Sequence, residues 1–138
     1  SSFKLYVMNI LFIEDDNIET MKMQRTVSKL AVDHNITEAK NGEEALNFLK
    51  SNSDLPDIIL LDLNMPKMNG LEFLHAIRQD TLLKRTPVIV LTTSDEDRDR
   101  IEAYNLNVAG YILKPVTFIN FAEVMVALNK YWALCEMP

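Results

Sequence analysis

Asp57-Ile58-Ile59-Leu60-Leu61-Asp62-Leu63-Asn64-Met65-Pro66 is the stretch on which the reading of the whole chain turns. Its unbroken apolar run, Ile58 to Leu61, predicts a strand buried on both faces, as in the middle of a parallel sheet. Asp62 then stands at the carboxyl end of that strand, where open α/β sheets hold their ligands. Working outward, two more strand ends carry charge. The run Ile10-Leu11-Phe12-Ile13 leads into Glu14, Asp15 and Asp16, and Tyr111-Ile112-Leu113 leads into Lys114-Pro115.

Five such strands are expected, at Asn9–Glu14, about Asn35–Ala39, Asp57–Asp62, Pro87–Thr92 and Ala109–Leu113. The second, around Ile36-Thr37-Glu38-Ala39, is more polar and reads as an edge strand. Amphipathic segments fill the gaps. Asp16 to Asp33 sets Met23, Val27 and Leu30 on one helical face, and Glu43 to Lys50 does so with Ala45, Leu46 and Leu49. Leu71 to Gln79 buries Leu71, Leu74 and Ile77 after the turn at Asn69-Gly70. The charged fourth helix, Asp95 to Asn107, has Ile101, Tyr104 and Leu106 as its apolar residues and Ser94 or Asp95 as its N-cap. The fifth, Thr117 to Leu134, starts on Thr117. Alternating strands and helices with right-handed crossovers predict an α/β fold: a (βα)5, flavodoxin-like, doubly wound parallel five-stranded sheet with helices on both faces.

At 138 residues and 48% apolar content, the chain is sized for one domain with one core. The division read from it is a lead-in over 1–8, a domain over 9–134 and a short tail over 135–138. A net charge of −6 argues against broad nucleic-acid binding. No apolar stretch approaches a membrane span, and no signal-peptide pattern opens the chain. The single cysteine, Cys135, forms no internal disulfide and reads as a bystander; this fits a cytoplasmic location.

In the expected fold the ends of the first, third, fourth and fifth strands converge, gathering Glu14, Asp15, Asp62, Thr92 and Lys114. Taken alone, Glu14-Asp15-Asp16 also reads as an acidic helix start favoured by the helix dipole. Asp62 alone reads equally as a solvated strand-end acid, and Lys114 as a surface lysine. Together they are a crowd of carboxylates that would repel one another unless a cation intervenes. A hard divalent ion such as Mg2+ takes oxygen ligands of this kind, and no histidine or cysteine stands at these positions to favour zinc. The pattern points to chemistry on a phosphoryl group, with Asp62 as acceptor.

From Asn9 to about Trp132 the chain resembles the receiver domain of response regulators in bacterial two-component signal transduction. The resemblance rests on Ile10-Leu11-Phe12-Ile13-Glu14-Asp15, the Asp57–Pro66 stretch, Asn69-Gly70, Val90-Leu91-Thr92-Thr93 and Gly110-Tyr111-Ile112-Leu113-Lys114-Pro115, in that order. It implies that Asp62 accepts a phosphoryl group from a phosphohistidine on a sensor histidine kinase or histidine phosphotransfer protein. Asp15, Asp62 and the backbone carbonyl of Asn64 would ligate magnesium, with Glu14 holding it through water. Lys114 would pair with Asp62 and then with the phosphoryl group, the Thr92 hydroxyl would donate to that group, and Lys114-Pro115 would be cis. Such a protein is a phosphoprotein that catalyses its own phosphotransfer and dephosphorylation rather than a conventional enzyme. Asn64 and Ser94, each two residues past a site residue, occupy positions that tune loss of the phosphoryl group in the family. Thr93 stands where many receivers have a smaller residue, and narrower access to the site is expected from it.

The resemblance also implies a switch, in which Thr92 moves toward the phosphoryl group and Tyr111 turns inward. On the last helix, Phe118, Phe121, Ala122, Met125, Leu128 and Trp132 form an apolar stripe, and Val124, Ala127 and Tyr131 extend it. An extension wider than packing on one sheet requires marks a partner or homodimer surface, formed by the fourth helix, fifth strand and fifth helix. No output domain is expected after that helix, and on that reading the chain resembles stand-alone receivers. Leu91-Thr92-Thr93-Ser94 and Tyr131–Pro138 look like regulators partnered with phytochrome-type histidine kinases. A flavin carrier is disfavoured by the acidic loop after the first strand. A haloacid-dehalogenase-type phosphatase requires aspartate where Asn64 stands. The remaining alternative is a pseudo-receiver scaffold that binds partners without phosphorylation.

Overall fold

The computed structural model describes residues 6–135, with side chains to residue 130. Ten elements alternate: β1 (Asn9–Ile13), α1 (Asn17–Ser28), β2 (Asn35–Ala39), α2 (Gly42–Ser51), β3 (Ile58–Leu61), α3 (Gly70–Gln79), β4 (Val88–Thr92), α4 (Asp97–Asn105), β5 (Gly110–Leu113) and α5 (Phe118–Cys135). All strand pairs are parallel, in the order β2-β1-β3-β4-β5. This is the expected flavodoxin-like α/β sheet. Its middle strands read as continuous apolar runs because each face needs every second residue. Ile58 and Leu60 point into a core shared with Met23 and Val27 of α1 and Phe121 and Met125 of α5. Ile59 and Leu61 point the other way, to Ala45 and Leu49 of α2, Phe73, Leu74 and Ile77 of α3, and Ala103 of α4. Each of these larger side chains contributes roughly 1.5–3 kcal/mol by leaving water.

Three details differ from the sequence reading. First, α1 stops at Ser28 rather than running to Asp33. The hydroxyls of Thr26 and Ser28 bond back to the carbonyls of Lys22 and Arg25, at 2.9 and 2.7 Å, which competes with continuing the helix. Leu30 still packs on the core, from the turn that follows. Second, neither Ser94 nor Asp95 caps α4; its N-cap is Glu96, which makes no side-chain capping bond. The Ser94 hydroxyl donates to Asp99 at 2.6 Å, and its oxygen accepts the N–H of Glu96 itself at 3.4 Å rather than one from the first turn. Thr117 does cap α5, its Oγ1 accepting from the Asn120 N–H at 3.1 Å.

Third, the apolar surface of α5 lies on a different edge. Val124 and Leu128 pack against the core, so Val124 is not part of an exposed extension, whereas Ala127 is exposed. Among its described residues, the large apolar side chains exposed on this helix are Phe118 (41%), Ile119 (67%) and Val126 (48%). Phe118 and Val126 line a cavity of 210 Å³ together with Leu30, Val32 and His34, on the α1 side. The side chains of Tyr131, Trp132 and Cys135, and residues 1–5 and 136–138, lie outside the described residues. Among those described, no helix is long and apolar enough to cross a membrane.

Candidate functional site

The site forms where β1 and β3 end side by side. The Asp62 N–H donates to the Ile13 carbonyl at 3.1 Å, so the end of β3 is fastened to the end of β1. Glu14 continues the ladder on the other side, its N–H reaching the Ala39 carbonyl at 2.9 Å. Backbone pairing thereby sets Glu14 and Asp62 beside each other, both buried. Asp15 is exposed next to them, and Glu14, Asp15 and Asp62 each offer an oxygen within 4.8 Å of the others.

Local chemistry holds these backbones in place. Asp16 caps α1 through the Ile18 N–H at 2.8 Å and donates its own N–H to Glu14 Oε2 at 3.2 Å. Behind Asp62, α3 starts so close that a Cβ on Gly70 would lie 2.5 Å from the Asp62 carbonyl oxygen and 2.6 Å from Leu63 Cα. Only glycine allows that approach. A capping box between Asn69 and Glu72 then fixes the first turn of α3. In the intervening loop Lys67 takes φ 63°, a conformation uncommon for a residue with a side chain.

Lys114 reaches in from β5. Its backbone N–H donates to the Thr92 carbonyl at 2.8 Å, and Lys114-Pro115 is cis, as expected. The ammonium, however, lies 2.6 Å from Glu14 Oε1 and 4.0 Å from Asp62 Oδ2, so in this structure Glu14 is its nearer partner. One lysine faces three carboxylates, and the charge is not balanced. Burial, reinforced by the charge of Asp62, pushes the Glu14 carboxyl up to about 7 despite its bond to Lys114. Burial likewise raises Asp62, more than Lys114 and the Asn64 N–H lower it. Burial alone would lower Lys114, but its bond to Glu14 and the charges of Asp62 and Glu14 outweigh that and raise it. A divalent cation fits this donor set: the carboxylates are all-oxygen ligands, on two strand ends, and carry surplus negative charge.

Thr92 is fully buried at the end of β4, and its Oγ1 accepts the Ser94 N–H at 3.2 Å. The Tyr111 hydroxyl donates to the Ser94 carbonyl at 2.8 Å, and its ring lies against Tyr104 and beneath the Arg100 guanidinium, 5.3 Å away. Burial raises the Tyr111 hydroxyl above its usual range. Thus Glu14, Asp15, Asp62 and Lys114 meet directly. Thr92 and Tyr111 join through Ser94, and Asn64 borders the site, its N–H 3.4 Å from Asp62 Oδ1. Thr93 points to the α1 side, where it lines a cavity of 300 Å³ with Lys22, Thr26 and Lys114. The sequence reading missed the bond from Ser94 to Asp99, at 2.6 Å. Its only signal was a serine followed by four acids, Asp95, Glu96, Asp97 and Asp99, with nothing to single out the last.

The sequence and the fold are similar to those of known proteins. Residues 10–126 match the family described as response regulator receiver domain. The chain is 35% identical to response regulator Rcp1 of Synechocystis sp. over 128 residues, 89% of this chain and 87% of that protein. Its fold matches the phosphorylated cyanobacterial phytochrome response regulator RcpA with a TM-score of 0.79 at 31% identity, covering 96% of this chain and 98% of the other. It matches the Mn(2+)-bound form of Rcp1 with a TM-score of 0.77 at 35% identity, covering 91% and 94%. With the acid cluster at the ends of β1 and β3, and the match spanning nearly all of the sheet, the chain belongs to the response regulator receiver family of two-component signalling.

Proposed function

We propose that Asp62 accepts a phosphoryl group from a phosphohistidine on a sensor histidine kinase or histidine phosphotransfer protein, in a magnesium-dependent reaction. The observation that carries this reading is the buried Asp62 carboxylate grouped with Glu14 and Asp15 within 4.8 Å, with the Lys114 ammonium 4.0 Å away. An Asp62 oxygen attacks phosphorus as the P–N bond breaks, and the departing imidazole takes up a proton. Phosphoryl transfer of this kind depends on positioning and charge neutralisation rather than on covalent help from many groups. Asp15, Asp62 and the Asn64 carbonyl would hold Mg2+, with Glu14 acting through water. When bound, the ion neutralises charge developing on the phosphoryl oxygens. Lys114 supplies a second cation once freed from Glu14. Thr92 accepts from Ser94 and so keeps its hydroxyl proton to donate.

Thr92 and Tyr111 are then the switch, and the readout surface is α4, β5 and α5. Ile101, Tyr104 and Leu113 are exposed there at 60%, 49% and 42%, which supports docking of a partner or a second copy of the chain. The reading implies a cytoplasmic protein, since its phosphohistidine donor belongs there. Intact-mass measurement after incubation with acetyl phosphate and Mg2+ tests the acceptor role. Gain of one phosphoryl group is expected in the wild type and none in Asp62→Asn. No gain in the wild type, from acetyl phosphate or from a competent kinase, sinks the reading. Sedimentation equilibrium with and without a phosphoryl mimic tests the dimer; a monomer in both states at high concentration counts against it.

A further inference from the structure

We propose that Ser94 and Asp99 form a latch joining the end of β4 to the first turn of α4, through which the position of Thr92 is passed to that helix. The proposal rests on Asp62 being the phosphoryl acceptor. Ser94 is the node of the network. Its N–H is bonded to Thr92 Oγ1 at 3.2 Å, its carbonyl to the Tyr111 hydroxyl at 2.8 Å, its hydroxyl oxygen accepts the Glu96 N–H at 3.4 Å, and its hydroxyl donates to Asp99 Oδ2 at 2.6 Å. The first of these closes Thr92 to Ser94 into a tight turn, so the Thr92 side chain and the Ser94 backbone move as a unit. The last is short and charge-assisted, and so resists stretching.

The packing of α4 makes such a link matter. Ala103 is its one buried residue, whereas α3 buries Gly70, Phe73, Leu74 and Ile77. Its two ends are held differently. At the C-terminal end Arg78 of α3 donates to the Leu106 carbonyl at 2.7 Å and to the Asn107 carbonyl at 3.3 Å, supplying the positive charge that the last turn of α4 lacks. The N-terminal end has no side-chain cap, and Asp99 in its first turn is tied to Ser94. A helix anchored at one end and latched at the other responds to the latch. When the Thr92 hydroxyl shifts toward an anion on Asp62, Ser94 follows and draws on Asp99, turning α4 about its Arg78 end.

Hydrogen–deuterium exchange on the whole chain, in Mg2+ with and without beryllofluoride as the phosphoryl mimic, tests this. Loading the wild type is expected to change exchange across residues 97–105 by about fivefold or more, and Ser94→Ala or Asp99→Ala to reduce that response to under about twofold. Ser94→Thr keeps the hydroxyl and is expected to restore it, which a purely structural role for Ser94 does not predict. Should Ser94→Ala not fold, Asp99→Ala decides. A wild-type response in both alanine variants overturns the latch, as does an α4 that ignores loading in the wild type. Intact mass after acetyl phosphate separates the two readings. Phosphorylation without an α4 response defeats the latch alone; no phosphorylation of the wild type defeats the acceptor reading and the latch with it.

Discussion

β3 and β5 have four residues each and are separated in the sheet only by β4, yet they are built in opposite ways. Every residue of β3 is buried, whereas Gly110 to Leu113 are half-buried or exposed. The helices nearby differ in the same sense: α3 has a capping box and a broad buried face, and α4 has neither. The difference teaches where rigidity is placed. Asp62 must meet its partners at fixed distances, so it ends a strand packed on both faces. Tyr111 sits on an edge strand under a lightly packed helix, where a small change in contacts can shift the balance between two arrangements.

The largest expected effect breaks the packing side of this comparison. Leu60→Ala should cost about 2–5 kcal/mol, because it leaves a cavity between α1 and α5, while Leu113→Ala should cost under about 1 kcal/mol. Urea denaturation measures both, and equal costs would remove the distinction. Next, Lys114→Met should slow phosphorylation by acetyl phosphate about 10- to 100-fold, as loss of a charge aimed at the reacting group does, with the rate read by mass spectrometry. A rate within twofold of wild type would remove Lys114 from the site. Third, Asn69→Ala should cost about 1 kcal/mol through the lost cap of α3, and Glu96→Ala close to nothing, since Glu96 makes no capping bond.

A fourth prediction sharpens the electrostatic side. Glu14 is raised from 4.5 to about 7 in the fold, so its neutral form is favoured there. Its stabilising contribution is therefore complete below pH 4.5 and is lost as pH rises through about 7. Thermal unfolding of the metal-free protein should show stability falling across this window, and Glu14→Gln should flatten the fall. A Glu14→Gln profile identical to wild type would contradict the raised value.

The parts legible in the sequence are those with strong local patterns. Ile58 to Leu61 announced a central strand because both faces of it must be apolar. Asp62, Glu14 and Lys114 were legible because each follows such a run. Less legible was whatever depends on which of several similar groups lies nearest in space. Lys114 was expected on Asp62 and rests closer to Glu14, a choice between two carboxylates made by side-chain geometry. The end of α1 depended on hydroxyls that either face solvent or bond backward, and Thr26 and Ser28 do the latter. The partner of the Tyr111 hydroxyl is a backbone carbonyl, which no residue identity encodes. On α5, helical spacing predicted Phe121, Met125 and Leu128 on the core, but Phe118 of the same stripe is exposed, beside a cavity that it lines with the α1–β2 turn.

The most direct test of the central claim is to trap the phosphorylated state chemically. Borohydride reduces an acyl phosphate to an alcohol, and peptide sequencing by mass spectrometry then locates the change. After exposure to acetyl phosphate and Mg2+, the alcohol should appear at position 62 and vanish when the metal is chelated. Reduction at Asp15 or Glu14 instead, or at no carboxylate in the chain, would contradict the assignment of Asp62 as the acceptor.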